Sequence, residues 1–230
     1  MSRTVFLTGT NRGLGLGMAA LFLQQGWDVI ASARNADGAR ELWELERDYA
    51  GRCQIMTLDV TSDASVKAAA AALKGRPIDI LVNNAGVLAE ADRPFATLSA
   101  DVLLKSFTVN TLGPLRVTQA LLPNLLATPR ATIATITSKM GSIGDNNSGG
   151  AYAYRMSKAA VNMFNKSFAV DHKGLTAVVL HPGWVQTDMG GSDAPVTVEA
   201  SVAGLVKTIT GLKPTDTGKF FDYRGLEISW

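Results

Sequence analysis

Val5-Phe6-Leu7-Thr8-Gly9-Thr10-Asn11-Arg12-Gly13-Leu14-Gly15 sets a short apolar run against a polar, glycine-rich turn. From Gly13 to about Gln25 the pattern turns helical, with Leu14, Met18, Leu21 and Phe22 on one face. The segment therefore predicts a strand, a glycine turn and a helix. A helix that begins on glycines offers free amide groups and the positive end of its dipole, a combination that attracts phosphate. The turn lacks the last glycine of the phosphate-cradling pattern G-x-G-x-x-G, because Met18 stands there. From this segment alone, a turn that needs glycine only for its own backbone shape stays open.

Outward from this turn the same alternation repeats. Strands are predicted at Trp27 to Ala33, Gln54 to Leu58, Ile78 to Val82, Thr132 to Thr137, Thr176 to Leu180 and Lys219 to Tyr223. Helices are predicted at Arg40 to Tyr49, Val66 to Leu73 with Ser62 as its cap, Ala100 to Leu126 interrupted at Gly113-Pro114, Tyr152 to Val170, and once more after Pro195. Parallel neighbours need a crossover, usually a helix, so the order predicts an α/β fold: a doubly wound parallel sheet flanked by helices. In such sheets ligands bind beyond the carboxyl ends of the strands. The polar turns fall there: Thr8 to Gly15, Asn83-Asn84-Ala85-Gly86, Ser138, and His181 to Thr187.

The 230 residues, 47% hydrophobic and 18% charged, suit a single domain over 1–230 with one core. A net charge of +2 without a Lys/Arg-rich run gives no footprint for nucleic acid. Cys53 is the only cysteine, so neither an internal disulfide nor a thiolate cluster can form. The opening Met1-Ser2-Arg3-Thr4 leads into the glycine turn before a signal-like core develops, and no run reaches ~18 apolar residues. A cytoplasmic protein with no membrane partner is expected. His172 and His181 are isolated, which predicts no metal site.

Tyr154 and Lys158 lie four apart on a predicted helix and project from nearly one face. An ammonium beside a phenol favours phenolate and lowers its pKa, so Tyr154 is a candidate general acid. The other reading is one packing residue and one solvated residue. Tyr152 has no such partner, since Met156 follows it at the same spacing.

Thr8-Gly9-x-x-x-Gly13-x-Gly15, Asn83-Asn84-Ala85-Gly86, Asn110, Ser138, Tyr154-x-x-x-Lys158 and Pro182-Gly183 occur in the order found in short-chain dehydrogenases/reductases, which this sequence resembles from Thr8 to Gly183. The stretches Gly141 to Lys158, His181-Pro182-Gly183-Trp184-Val185 and Thr187-Asp188-Met189 are similar to the C-factor and sniffer-like carbonyl reductase branch. The resemblance implies a Rossmann-type fold and reduction of a small-molecule carbonyl to an alcohol. Tyr154 would donate the proton, and Ser138 would hold the carbonyl oxygen as charge develops. Lys158 would lower the pKa of Tyr154 and hydrogen-bond the nicotinamide ribose, while Asn110 would hold a water leading from Lys158 to solvent. Ser138 precedes Tyr154 by three residues more than is usual, and the glycine-rich loop between them can absorb the excess; Ser142 is the competing serine.

For the coenzyme, the resemblance implicates Gly9, Asn11, Arg12, Gly13, Leu14 and Gly15 at the phosphates, and Asp59 with Val60 at the adenine. It implicates Asn83, Ala85 and Gly86 at the adenosine ribose, and Pro182, Gly183, Val185 and Thr187 at the nicotinamide. An acid at the end of the second strand would repel a 2′-phosphate. Here Arg34 stands there, Arg12 is set to converge on the same phosphate, and Asp37 falls later, at the expected start of a helix, so NADP(H) is the expected cofactor. Leu88, Met140, Ile143, Trp184 and Met189 would line an apolar substrate pocket. Related proteins pair through the helices around Asn110 and Tyr154, which implies a homodimer or homotetramer. The alternative is a non-catalytic dinucleotide-sensing or developmental signalling protein on the same fold.

Overall fold

The computed structural model describes residues 3–89 and 94–230, so Met1 and Ser2 of the opening run lie outside it. The chain runs β1 (Thr4–Thr8), α1 (Gly13–Gln24), β2 (Asp28–Ala33), α2 (Arg40–Asp48), β3 (Cys53–Thr57), α3 (Asp63–Ala72) and β4 (Ile80–Asn83). It continues through α4 (Ala100–Phe107), a π turn (Thr108–Leu112), α5 (Gly113–Leu126), β5 (Thr132–Ile136), α6 (Tyr152–Asp171), β6 (Thr176–His181), α7 (Val198–Gly211) and β7 (Phe220–Asp222). The seven strands form one parallel sheet in the order β3-β2-β1-β4-β5-β6-β7. The order reverses between β1 and β4, which places the ligand crevice of such a sheet at their carboxyl ends.

Alternation along the strands divides the core. Val5, Leu7, Val29, Ala31, Val82 and Leu180 face Met18, Phe22 and Leu23 of α1 and Val202, Leu205 and Ile209 of α7. Phe6, Ile30, Leu81 and Ile133 point the other way, onto Val66 and Ala69 of α3 and Val117, Leu121 and Leu125 of α5. Fully burying a side chain of this kind contributes ~1.5–3 kcal/mol, so the two faces carry most of the stabilisation. The buried stripe of α1 is Met18, Ala19, Phe22 and Leu23, with Leu14 and Leu21 only partly covered, because α7 packs against one flank of the helix. A Cβ on Gly17 would stand 2.9 Å from Val202.

The break in the long helix begins earlier than Gly113-Pro114. Pro114 has no N–H to give to the carbonyl four residues back, which belongs to Asn110. The ladder widens to a π turn over Thr108–Leu112, and Asn110, buried, sits in the middle of it. Asp37 lies in the turn before α2 rather than in the helix itself, and His181 closes β6. Ser62 caps α3 by accepting from Ser65 N. Among the described residues, no helix is long and apolar enough to cross a membrane, and no group of His, Cys, Asp and Glu could hold a metal.

Candidate active site

The glycine turn is held open by geometry that admits no larger residue. Gly9 has φ +69°, and a Cβ on Gly15 would lie 2.1 Å from the Gly9 carbonyl oxygen. Asn84, which sequence reasoning passed over as a site residue, fastens this turn to the end of β4. Its Nδ2 donates to the carbonyls of Thr8 and Gly9, both at 2.9 Å, while the Thr8 hydroxyl accepts from the Asn84 and Ala85 amides at 3.0 Å. Asn83 turns inward instead, its Nδ2 donating to Thr118 and Thr135. The N-terminus of α1 has no side-chain cap and no acid in its first turn, so its amides and dipole are left for an anion. Asn11 is exposed beside it, and Leu14 packs on the core.

At the far side of β1, Arg34 is exposed at the end of β2 and acts on Asp59. Burial opposes the Asp59 carboxylate, but hydrogen bonds from the Thr61 amide and hydroxyl, together with the Arg34 charge, outweigh it and hold its pKa below the ordinary value. Val60 buries its side chain, and a Cβ on Gly113 would meet it at 3.0 Å. Arg12 forms an ion pair with Asp188 in the loop after β6. The partner is 176 residues away, beyond the reach of any local pattern.

The chemical groups gather on α6. Tyr154 and Lys158 share the face that meets the ends of β4 and β5. The Lys158 ammonium donates to Ile136 O at 2.9 Å and lies 5.6 Å from the Tyr154 ring centre. Ser138, at the end of β5, accepts from the Met140 amide at 3.1 Å and hydrogen-bonds the Tyr154 phenol. Ser142 is instead taken up within its own loop, accepting from Asp145 N at 3.1 Å. Between them Gly141 lies flat on α6: a Cβ there would be 2.8 Å from the Lys158 carbonyl carbon. Arg155 ties down the long loop, donating to Met140 O at 3.3 Å, Gly149 O at 3.0 Å and Ser148 Oγ at 2.8 Å. The three additional residues are thus gathered into a pinned loop while Ser138 stays beside Tyr154.

Burial pushes the Tyr154 phenol up to about 12, against the Ser138 hydrogen bond that favours phenolate. This is opposite to the lowering expected from the sequence, because loss of hydration outweighs the neighbouring interaction. The same burial brings the Lys158 ammonium down to about 8. At neutral pH the pair is a phenol beside a mostly charged ammonium, which is the protonation state a proton donor needs.

The Asn110 side chain makes three hydrogen bonds to protein. It accepts from Val87 N at 2.8 Å and donates to Val87 O at 2.9 Å and to Ser157 Oγ at 3.0 Å, so it docks the π turn between the β4 loop and α6. Gly86 passes close by; a Cβ there would stand 3.7 Å from the Lys158 ammonium. On the last side, Gly183 has φ +90° and Val185 is buried. Pro182 O accepts from Ser201, and the Thr187 hydroxyl accepts from Gly190 N at 3.2 Å. Leu88 and Met140 are half-buried, whereas Ile143, Trp184 and Met189 are exposed. The expected pocket is an open apolar rim rather than an enclosed cavity. A groove of about 510 Å³ between α1, α2 and α7, lined by Gly13, Leu16, Ala20, Glu41 and Leu45 among others, contains none of the five residues expected at the substrate pocket. Burial drives the His181 imidazole down to about 4, so it is neutral.

The chain is similar to known proteins over most of its length. The profile of the short chain dehydrogenase family matches residues 3–196. C-signal of Myxococcus xanthus is 49% identical over 160 residues, covering 67% of this chain and 93% of that protein. The crystal structure of a short-chain dehydrogenase/reductase of Burkholderia multivorans with bound NADP superposes with a TM-score of 0.92 at 38% identity, covering 100% of both chains. Carbonyl reductase Sniffer of D. melanogaster does so with a TM-score of 0.93 at 34% identity, again over 100% of both chains. With the profile covering most of its length and the glycine turn, Ser138, Tyr154 and Lys158 all at one edge of its sheet, the chain belongs to the short-chain dehydrogenase family.

Proposed function

We propose that this protein is an NADP(H)-dependent reductase that converts a ketone or aldehyde to an alcohol, with Tyr154 as general acid. The observation that carries this reading is the linked set Ser138, Tyr154 and Lys158 at the carboxyl edge of the sheet. NADPH, when bound, supplies the hydride. The Ser138 hydroxyl and the Tyr154 phenol then face the same carbonyl oxygen: Ser138 stabilises the growing negative charge, and Tyr154 gives its proton to it. The Lys158 ammonium favours the phenolate left behind.

The residues present suit this coenzyme. The uncapped start of α1 and the close approach of Gly9 and Gly15 suit a pyrophosphate. Arg34 and Arg12 suit a 2′-phosphate, which no acid at the end of β2 repels. The NADP held by the Burkholderia neighbour supports the same choice. The rim formed by Ile143, Trp184 and Met189 favours an apolar carbonyl compound.

Initial rates with a panel of aldehydes, quinones and ketosteroids, each with NADPH and NADH, test the proposal. NADPH-dependent reduction of at least one apolar carbonyl is expected. Tight coenzyme binding without turnover across the panel would favour a dinucleotide sensor instead.

We also propose self-association through α4 and α6. Leu104 on α4 and Met156 and Met163 on α6 are exposed at 62%, 48% and 66%, apolar surface that a second copy would cover. Light scattering should return a dimer or tetramer; a mass near that of a single chain across micromolar concentrations would exclude it.

A further inference from the structure

The ion pair between Arg12 and Asp188 joins the two banks of the coenzyme crevice. Arg12 immediately precedes α1, and Asp188 follows Thr187 in the loop after β6. The banks already touch, since a Cβ on Gly13 would lie 3.6 Å from Thr187 Cγ2. The two partners differ in freedom. Asp188 sits on a fixed turn: Gly190 N donates to Thr187 O at 3.0 Å and to Thr187 Oγ1 at 3.2 Å, and Trp184 Nε1 donates to Gly190 O at 2.7 Å. Arg12 reaches it through a long, flexible side chain. Both side chains are more than two-thirds exposed, at 71% and 72%, so the pair is bathed in water and readily exchanged.

We infer that Asp188 is a coenzyme-selectivity residue: its carboxylate is an internal competitor that the 2′-phosphate of NADPH must displace from Arg12. The inference rests on the proposed role of Arg12 toward that phosphate. Asp188 holds the Arg12 guanidinium through Nη1 and draws it toward the loop after β6, so a 2′-phosphate beside Arg34 has to pull it away from that carboxylate. NADH carries no 2′-phosphate and leaves the ion pair in place. Asp188 therefore weakens NADPH binding selectively and moderates the preference that Arg12 and Arg34 create.

Dissociation constants for NADPH and NADH, measured by fluorescence titration of the intact protein without substrate at fixed ionic strength, test this. Asp188→Asn should tighten NADPH about two- to fivefold, the scale of an exposed ion pair, and leave NADH unchanged. Asp188→Ala, which cannot accept from Arg12 at all, should do at least as much. In an Arg12→Gln background, Asp188→Asn should have no effect on either coenzyme. An unchanged NADPH constant, or equal shifts for both coenzymes, overturns the inference. So does a shift that persists without Arg12, which would mark a diffuse charge effect. If Arg12→Gln alone fails to weaken NADPH, the role given to Arg12 is what fails.

Discussion

The Ser138 hydroxyl accepts from the Met140 amide and hydrogen-bonds the Tyr154 phenol, so the turn that ends β5 also holds the proposed proton donor on α6. The Met140 amide thus helps to orient the serine hydroxyl toward the phenol.

Tyr154→Phe removes the proton and little else. Turnover should fall by ~10²-fold or more, the scale of losing general acid catalysis, while the dissociation constant for coenzyme stays within twofold of about its wild-type value. Ser138→Ala should cost about 10²-fold with the same retention of coenzyme, in line with losing one donor at a developing oxyanion. Single-turnover kinetics beside a binding titration would separate the two quantities; near wild-type turnover in Tyr154→Phe removes the mechanism.

Lys158 sets a pH limit. Its ammonium, brought down to about 8 by burial, is lost as pH rises through that value, and with it the charge that favours the phenolate left behind. kcat/KM for reduction should decline above about pH 8 along a single ionisation, and Lys158→Arg should move that limb upward or abolish it. The stability sign runs the other way. Between about 8 and 10.5 the unfolded chain binds the proton that the folded chain has released, so Lys158 becomes less destabilising as pH rises across that window. Thermal unfolding of wild type against Lys158→Met should show the wild type gaining between pH 7 and 10, whereas the variant should lose both turnover and coenzyme affinity.

Arg34 is exposed at the end of β2, where a 2′-phosphate is proposed to lie. One charge-assisted hydrogen bond contributes ~1.5–3 kcal/mol, so Arg34→Ala should reduce the NADPH over NADH ratio by at least tenfold, almost all through NADPH. An unchanged ratio of kcat/KM values would show that β2 does not read the phosphate.

Ala151, directly before α6, has φ +43°, after Gly149 at +62° and Gly150 at +65°. A left-handed conformation costs a residue with a Cβ ~1–2 kcal/mol, part of which glycine gives back as chain entropy. Ala151→Gly should raise stability by up to ~1 kcal/mol, or ~2–4 °C in Tm for a chain of this size. Differential scanning calorimetry would read the shift, and a lower Tm would mean that the Cβ makes packing contacts that outweigh the strain.

Much of this architecture was legible because it is written locally. Val5 to Gly15 carries its strand, turn and helix in adjacent residues, and Tyr154 and Lys158 are brought to one face by helix geometry alone. What escaped was set at a distance or by burial. The partner of Arg12 lies on another loop, and the role of Asn84 depends on β1 and β4 being neighbours. The acidity of Tyr154 was misjudged in direction because spacing reveals a nearby charge and not the loss of water around the phenol. The break before α5 was placed at Pro114 when the missing donor acts one turn upstream.

That π turn has a consequence for how many residues the helix needs. Val102, Ser106, Asn110 and Pro114 are all buried, each four residues after the last. At 3.6 residues per turn, steps of four creep round a straight helix by about 40° each, and an inserted residue amounts to about 100°. The wide turn absorbs this phase error in one place, so that α4 and α5 point inward as though the added residue were not there. Asn110, in the middle of that turn, is thereby set between Val87 and Ser157, so the added residue serves the placing of one side chain as well as the packing of two helices.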